Sequence, residues 1–384
     1  MKTPAKLIFE NGANWRYATG TPISDPALWY MEPNGTTHIL VSELEIALMQ
    51  TTATGVTHIH GFAEVRDSLH PKPLTLSAMV AWLHRATPEA PLLVPADFPA
   101  ATFQRLTAEG LPLEVCTDDL FFPERAIKTL AETEKLAEAE RAATQCFHRA
   151  AHILREADIA RDASLVWKGK PLTAETVQME MRKIAIEQGC EEFHGGPIVA
   201  CGAQGAMPHE RGHGILKAHE LIVIDNFPRH KNGYWADCTR TFVKGKTTQW
   251  QQDVYAAVLT AQEAALALIR QGANGRDIHK AVETTLHRAG FPTGSMDDGT
   301  PYGFFHGTGH GVGLELHEPG PRMISRADCE LKSGYVTSVE PGLYYPPGSH
   351  KGGTGGCRIE DLVVVTDTGH HNLTLYPKNK WMID

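Results

Sequence analysis

Short apolar runs rich in β-branched residues alternate with helix-forming segments in the first third of the chain. The runs are "THILV", "VTHI", "PLLVP" and "LPLEVC", which lie between residues 36 and 116. This alternation is typical of an α/β sheet covered by helices. Ser42 followed by Glu45 matches a capping box and predicts the start of one helix. We therefore predict a small α/β domain over residues 1–122.

Longer helical patterns begin after Pro123. Residues 124–159 are rich in Ala, Glu, Leu and Arg, with apolar residues at helical spacing around Phe147 and Leu154, and predict a long amphipathic helix. Thr173 can cap a second helix that ends at Gly189, and two more apolar helical segments follow. Hairpin-like β segments lie between and after these helices. The pattern predicts an α+β domain over residues 123–384, entered by the long helix.

Two hairpins in this second domain each present a pair of acids. Asp225 ends the run "LIVI", a loop rich in turn residues follows, and Asp237 begins the returning strand. Glu340 and Glu360 flank the loop "PPGSHKGGTGG" in the same way. We expect each pair to face each other roughly across its hairpin, although like charges in that position repel. A bound cation would relieve this repulsion, whereas ion pairs with Arg240 and Arg358 are the alternative.

The stretch "HGTGHGVGLELHE", residues 306–318, carries glycine at every second position over residues 307–313. This spacing is hostile to a helix, so His306 and His310 do not form the helical pair of zinc peptidases. In an extended strand they share a face, and the glycines allow a ligand or a second backbone to approach closely. One imidazole added to four carboxylates gives an oxygen-rich site that suits Mn²⁺, with Co²⁺, Fe²⁺ or Zn²⁺ as other ions.

Charge and composition narrow the possible partners. The net charge is -9 and no Lys/Arg-rich run interrupts it, so the sequence predicts no nucleic-acid partner. Apolar runs are too short to span a membrane, and the first residues lack the apolar core of a signal peptide. Seven cysteines without a C-x-x-C pair predict reduced thiols rather than a disulfide framework. Together these features predict a cytoplasmic protein.

Four segments in the second domain resemble the pita-bread metallopeptidases, which include methionine aminopeptidase, aminopeptidase P and prolidase. They are "VIDNF…GYWADCTRTF", "HGTGHGVGLELHE", "SVEPGLYY" and "RIEDLVVV", in the family's order. The segment "NWRYATG" resembles the creatinase-type amino-terminal domain of the aminopeptidases P and prolidases. That front domain and the double histidine of "HGTGH" favour this branch.

The resemblance implies a role for each matching residue. Two divalent ions would activate the water that attacks the peptide carbonyl. The resemblance also implies that the protein forms a homodimer. The implied metal ligands are Asp225, Asp237, His310, Glu340 and Glu360. Glu340 would also act as general base, while His317 and His209 would hold the substrate carbonyl and the tetrahedral oxyanion. His306 matches a further catalytic and substrate-binding histidine of the proline-specific branch. Arg358 matches an arginine beside the last ligand and would bind substrate, with a structural pairing to a carboxylate as the alternative.

The chain departs from the family pattern at the first ligand. Asp225-Asn226 replaces the usual Asp-x-Gly, and the interval to Asp237 is one residue longer. These departures concern the geometry of the first hairpin.

Arg322, Arg326 and His350 are the candidate partners for a terminal carboxylate of the substrate.

The resemblance implies hydrolysis of the bond between an amino-terminal residue and proline, by an Xaa-Pro aminopeptidase or dipeptidase. One alternative is a metal-dependent amide or amidine hydrolase of the ectoine-hydrolase or creatinase type. Another is a non-catalytic interaction module on the same fold, although such modules typically lose metal ligands.

Overall fold

The computed structural model describes residues 3–9 and 12–384. Internal contacts divide the chain into two compact units, Met1–Arg125 and Ala126–Asp384. A single turn of 3₁₀ helix, Pro123–Ala126, lies at the division. The sequence predicts this boundary three residues earlier, between residues 122 and 123.

The first unit is a six-stranded sheet with helices in its connections. Its elements are β1 (Ala5–Phe9), α1 (Ala13–Thr19), β2 (Leu28–Met31), β3 (Thr37–Val41), α2 (Ile46–Thr52), β4 (His58–Gly61), α3 (Phe62–Leu69), α4 (Leu76–His84), β5 (Leu92–Val94), α5 (Ala100–Ala108) and β6 (Leu113–Val115). The strand order is β4-β3-β2-β1-β5-β6, with β3 and β4 parallel and β4 at one edge. The four apolar runs of the sequence form β3, β4, β5 and β6.

The sequence pattern missed the two central strands, β1 and β2. Their side chains are buried on both faces of the sheet, as Leu7, Ile8, Trp29 and Tyr30 show. A strand buried on both faces has no alternation of apolar and polar residues, so its pattern is short and ambiguous.

The predicted capping box at Ser42 is wrong. The helix α2 begins at Ile46, and Glu45 occupies the N-cap position without a side-chain hydrogen bond. The Ser42 hydroxyl instead donates to Asp25 Oδ2 at 3.3 Å.

The second unit contains four long helices and several small sheets. Its elements are α6 (Leu130–Glu156), β7 (Asp158–Ile159), β8 (Leu165–Trp167), β9 (Lys170–Pro171), α7 (Ala174–Glu187), β10 (Cys190–Glu192), β11 (Ile198–Cys201), β12 (Ile222–Asn226), β13 (Arg229–His230), β14 (Cys238–Lys244), α8 (Gln249–Leu268), α9 (Gly275–Arg288), β15 (Gly294–Ser295), β16 (Pro301–Tyr302), β17 (Gly309–Gly311), β18 (Glu318–Met323), β19 (Val336–Val339), β20 (Gly342–Tyr345), β21 (Gly355–Arg358), β22 (Asp361–Val365), β23 (His370–Asn372) and β24 (Met382–Ile383). A second 3₁₀ helix spans Gly202–Ala206.

This unit has two halves, each a helix pair packed on a sheet. In the first half, α6 and α7 cover the sheet β11-β12-β14-β24, with Phe147, Met181 and Phe242 in the shared core. In the second half, α8 and α9 cover the sheet β18-β17-β19-β22-β23, with Val258 and Val363 in the core. Helices and mainly antiparallel sheets in separate layers confirm the predicted α+β class.

The long helix α6 begins later than the sequence pattern indicates. Thr129 caps it by accepting a hydrogen bond from the Glu132 amide, and the Glu132 carboxylate accepts one from the Thr129 amide. This capping box satisfies two backbone donors and fixes the start at Leu130. Across the residues that the structure describes, no helix combines the length and apolar character that a membrane span requires.

Candidate metal centre

The first acid pair lies on one face of the hairpin formed by β12 and β14. Asp225 pairs with Thr239 in the antiparallel register, so Asp237 is its diagonal neighbour and does not lie directly opposite, contrary to the expectation from sequence. The reason is the turn. His230 and Tyr234 close a three-residue loop, and Gly233 adopts a positive φ of 96°. This loop places the hairpin centre one residue later than the midpoint of the two aspartates.

The second acid pair is arranged as predicted. Val339 pairs with Asp361 and Gly342 with Arg358, and the same register places Glu340 opposite Glu360. The carboxylate of Glu360 accepts a hydrogen bond from the Thr239 hydroxyl at 2.8 Å. This bond joins the second hairpin to the first.

The glycines around His310 allow neighbouring strands to approach closely. A Cβ atom on Gly309 would lie 1.9 Å from the Ser338 carbonyl oxygen, and one on Gly311 would lie 2.4 Å from that of Glu318. Any side chain at either position would therefore push β17 away from its neighbours. This close approach brings the His310 ring among the acids.

Hydrogen bonding fixes the orientation of His310. Its Nδ1 lies 3.0 Å from the Gly311 carbonyl oxygen, which can only accept, so Nδ1 carries the proton. The lone pair on Nε2 is therefore free, and Nε2 lies 3.5 Å from Asp237 Oδ2 and 3.4 Å from Glu340 Oε1. A backbone carbonyl that fixes the tautomer in this way is the usual arrangement behind a metal-binding histidine.

The electrostatics of the cluster favour a bound cation. Burial, followed by the charges of Glu360, Asp225 and Glu340, raises the pKa of Asp237 well above its usual range. Burial and the Glu340 and Asp225 charges do the same to the pKa of Glu360. Burial lowers the pKa of His310, which favours the neutral imidazole that can act as a ligand.

The donor set fits divalent ions. Ligand atoms of Asp237, His310 and Glu360 all lie within 4.8 Å of one another. Asp225 Oδ1 is buried and has no hydrogen-bond partner among the described residues, while Oδ2 accepts from Arg358 at 2.7 Å. A buried carboxylate oxygen without a partner is costly unless an ion or a water satisfies it. We refer to Asp225, Asp237, His310, Glu340 and Glu360 as the metal centre.

Arg358 connects the metal centre to His306 through a tyrosine that the sequence reasoning missed. Its guanidinium donates to Asp225 and, at 3.0 Å, to the Tyr344 hydroxyl. That hydroxyl donates to His306 Nε2 at 2.9 Å, since the Gly307 carbonyl oxygen 2.7 Å from Nδ1 fixes the ring proton there. Burial raises the pKa of Tyr344 to about 12, so the hydroxyl keeps its proton.

Of the two arginines predicted to pair with these acids in place of a bound cation, only one does so. Arg358 pairs with Asp225, but Arg240 pairs with Asp361 at 2.8 Å, next to the centre. Arg240 also donates to the backbone carbonyl of Glu360 at 2.5 Å. It therefore supports the strand that carries this ligand and does not neutralise the ligand's charge.

A cavity of about 910 Å³ opens above the metal centre. All of the sequence-predicted site residues line it, including the exposed His209 and His317 and the half-buried His306. The His317 ring lies 4.3 Å from the His310 ring. The apolar part of the wall consists of Ile198, Met207, Phe227, Phe305, Leu316 and Ile324.

The candidates for a carboxylate clamp lie elsewhere. Arg322 and Arg326 are exposed, and neither is among the residues that line the cavity. The His350 ring packs against Trp250 and Tyr345. The cationic side chains on the cavity wall are Arg358 and Arg211, and Arg211 donates to the carbonyl oxygens of His194 and Gly196.

Glu140 is the second residue that sequence reasoning missed. It is fully buried in α6, and its carboxylate accepts from the Asp237 amide at 2.6 Å and from the Thr374 hydroxyl at 2.7 Å. The signal was present, because Glu140 lies between Leu136 and Phe147 on the apolar face of the helix. An acid at such a position rarely remains buried without a partner.

Comparisons with known proteins agree with this geometry. The sequence profile described as metallopeptidase family M24 matches residues 134–367. A Bacillus subtilis protein described as the uncharacterized peptidase YqhT is 31% identical over 71% of this chain and 67% of its own length. The Xaa-Pro dipeptidase of Pyrococcus furiosus is 31% identical over 67% of this chain and 65% of its own length.

The fold is also similar to that of proteins whose structures have been solved. The X-Pro aminopeptidase of Thermotoga maritima superposes with a TM-score of 0.81, covering 99% of this chain and 98% of that one at 22% identity. A likeness at this identity concerns the fold, and it extends over both units. The chain belongs to metallopeptidase family M24, as an enzyme of the aminopeptidase P and prolidase branch with that family's pita-bread fold.

Proposed function

We propose that the protein hydrolyses the peptide bond between an amino-terminal residue and proline, with two divalent ions held by the metal centre. The observation that carries this proposal is the convergence of five separate side chains on one cavity, in a chain of family M24. Asp225, Asp237, His310, Glu340 and Glu360 would hold the ions. The oxygen-rich donor set favours Mn²⁺.

Two divalent ions at such a site lower the pKa of a water molecule and polarise a substrate carbonyl. The residues of the chain supply the remaining functions. Glu340 would be the general base, and the partial exposure of its side chain to the cavity supports this role, because a base has to reach the water that it deprotonates. The Ser338 hydroxyl donates to Glu340 Oε1 at 3.2 Å and orients it.

His317 and His209 contact the substrate from the exposed cavity wall. The cavity walls shield the ring of His317 partly from solvent although its side chain stays exposed at the surface. This desolvation, and then the neighbouring His310, lowers the pKa of His317, so at neutral pH it acts as a neutral hydrogen-bond donor. Donors held in place before the reaction stabilise a developing oxyanion without the cost of reorganisation. His306 lies on the same wall, with its ring held by Tyr344.

The apolar wall provides a place for the proline ring. Phe227, Leu316 and Ile324 line the cavity together with the metal centre. A proline peptide nitrogen has no hydrogen to donate, so an apolar surface beside it leaves no donor unsatisfied. This arrangement supports a preference for proline after the scissile bond.

An assay with metal-stripped protein tests the proposal. Gly-Pro and a longer Xaa-Pro-Pro peptide are each incubated with EDTA-treated protein, before and after addition of Mn²⁺. We expect hydrolysis only after addition of metal, and at least about tenfold faster than that of matched Xaa-Ala peptides. Manganese-loaded protein that cleaves a small amide or cyclic amidine but no Xaa-Pro peptide would favour the alternative hydrolase. Protein that never retains divalent metal would favour the interaction module.

Three further features remain proposals from the family resemblance and the composition. They are a homodimeric assembly, a cytoplasmic location and the absence of nucleic-acid partners. Sedimentation at several protein concentrations tests the first, because a dimer would give about twice the 42.1 kDa mass of the chain.

A further inference from the structure

Three histidines of the first unit share one face at the edge of its sheet. His38 in β3 pairs with His58 in β4, and His60 follows two residues later in the same strand. Side chains two apart along a strand point to the same face, as do directly paired residues. We refer to His38, His58 and His60 as the histidine cluster.

Two of these imidazoles face each other between two carboxylates. His38 Nδ1 lies 3.1 Å from His60 Nε2. On the outer sides, His38 Nε2 lies 3.2 Å from Glu32 Oε1, and His60 Nδ1 lies 3.0 Å from Glu64 Oε2. A carboxylate can only accept, so the outer nitrogen of each ring carries a proton.

In the neutral rings, each inner nitrogen, His38 Nδ1 and His60 Nε2, therefore carries a lone pair, and the two lone pairs point towards each other. One added proton, held in an N–H···N hydrogen bond, relieves the repulsion between them, and so does a metal ion bound beside both nitrogens. Their separation of 3.1 Å is close to the ~3.3 Å between two nitrogen ligands on a tetrahedral ion with bonds of about 2.0–2.1 Å. The ring centroids lie 5.4 Å apart, so both rings have to turn for their lone pairs to converge on one ion. In metal sites, a histidine ligand usually donates the hydrogen of its other ring nitrogen to a carboxylate or carbonyl, as His38 and His60 do here.

The surroundings hold the two rings in place. Trp82 packs edge-on against His60, with ring centroids 4.9 Å apart. Tyr30 lies 5.9 Å from the His38 ring and donates its hydroxyl towards His84 Nδ1, 3.0 Å away. Only about 14% of the side-chain surface of either His38 or His60 is exposed.

His58 supplies a third imidazole from the exposed side. Its ring centroid lies 4.8 Å from that of His38 and 6.0 Å from that of His60. To bind the same ion, the His58 ring has to turn about its side-chain bonds, and its exposure to solvent leaves room for this. Solvent can occupy the remaining position.

We propose that the histidine cluster is a binding site for a late first-row divalent metal ion, with Zn²⁺ as the representative ion, separate in residues and chemistry from the metal centre. Imidazole ligands suit zinc, nickel and copper, whereas manganese prefers carboxylate and carbonyl oxygens. The two sites should therefore differ in which ion each retains. This inference does not depend on the proposed peptidase function.

The test compares the zinc content of full-length variants. EDTA-treated wild type and His38→Ala/His60→Ala are dialysed against Zn²⁺ or, separately, against Mn²⁺, and bound metal is measured by mass spectrometry. We expect the double variant to hold one zinc per chain fewer than wild type, with equal manganese content and equal hydrolysis of Xaa-Pro peptides by the manganese form. His287→Ala is the matched control, because His287 is exposed in the last turn of α9 and lies outside the histidine cluster.

Single variants keep the test valid if the double variant folds poorly. Glu64→Gln removes an outer carboxylate that is half exposed, and should weaken zinc binding about 10–100-fold. His58→Ala should weaken it about tenfold or more, because one ligand is lost. Equal zinc content in wild type and the double variant would overturn the proposal. Unchanged zinc affinity in both single variants would overturn it as well.

Discussion

The metal centre and the histidine cluster both gather ionisable side chains from neighbouring strands, but they place negative charge differently. In the metal centre the carboxylates themselves face the shared space, and burial raises the pKa of Asp237 and Glu360 well above their usual ranges. In the histidine cluster the carboxylates of Glu32 and Glu64 stand behind the imidazoles. The facing carboxylates of the metal centre repel each other, and the charge of divalent ions relieves this repulsion. The facing imidazole nitrogens of the histidine cluster need only a proton or an ion that accepts their lone pairs. The position of the carboxylate therefore decides which ion each site favours.

Removal of Asp237 or Glu360, two of the carboxylates proposed to hold the ions, should have the largest effect. In Asp237→Ala or Glu360→Ala we expect kcat/KM for an Xaa-Pro peptide to fall by a factor of ~10³ or more, because the activated water and the polarised carbonyl are both lost. Bound manganese should fall in parallel, while zinc held by the histidine cluster should remain. Asp367→Asn, an exposed acid just beyond β22, is the control and should change nothing. Full activity in either alanine variant would mean that these acids do not hold the catalytic ions.

Loss of His317 should reduce turnover without loss of metal. The residue lies beside His310 but on the exposed wall of the cavity, which supports the proposal that it contacts substrate and does not bind an ion. We expect His317→Ala to lower kcat by ~10²–10³, as for loss of one oxyanion donor, with KM changed far less. Steady-state kinetics and metal analysis of the same preparation measure both. A large loss of manganese would show that His317 belongs to the metal centre itself.

Glu140→Gln should change how stability depends on pH. Burial raises the pKa of Glu140 to about 7 from an ordinary 4.5, so between these values the folded chain holds a proton that the unfolded chain has released. The free energy of unfolding therefore falls as pH rises through this window, by on the order of 3 kcal/mol in total. A glutamine stays neutral, and it can still accept from the Asp237 amide and donate to Thr374.

In metal-stripped protein we therefore expect Glu140→Gln to be more stable than wild type at pH 8 and equally stable near pH 4.5. Urea unfolding at several pH values measures the difference. Glu134→Gln, on the exposed face of the same helix, is the control and should leave the pH dependence unchanged. Identical slopes for Glu140→Gln and wild type would show that this carboxyl is ionised throughout the window.

The sequence predicted which side chains of the metal centre converge better than it predicted their register. The register of the second hairpin was correct because the loop between Glu340 and Glu360 is symmetric about its midpoint. In the first hairpin, Asn232-Gly233 forms the end of the turn, and the positive φ of Gly233 shifts the centre by one residue. That dipeptide is a strong turn signal, and it gives the observed register when it ends a three-residue loop, whereas the commoner two-residue loop would pair Asp225 with Arg240.

Residues that position other side chains of a site were harder to predict from the sequence. Tyr344 belongs to an apolar run, and nothing in "GLYY" distinguishes it from the core tyrosine Tyr345 beside it. Its role depends on Arg358 and His306, which are distant in sequence and meet only in the folded chain. The histidine cluster was equally invisible, because His38 joins His58 and His60 only through the parallel pairing of β3 and β4.

Tyr344→Phe should have the smallest effect and sharpens the comparison of how the two sites orient their imidazoles. The His306 ring is held by a neutral hydroxyl, whereas His38 and His60 are held by carboxylates. A hydrogen bond between neutral groups contributes about 1 kcal/mol, and one to a charged group roughly twice that. We expect Tyr344→Phe to lower kcat/KM about five- to tenfold and to leave manganese content unchanged, because the ligands do not move. The expected loss of zinc affinity in Glu64→Gln is larger. If Tyr344→Phe instead cost more than about a hundredfold or released metal, the hydroxyl would be part of the metal centre, and the contrast between neutral and charged orienting partners would not hold.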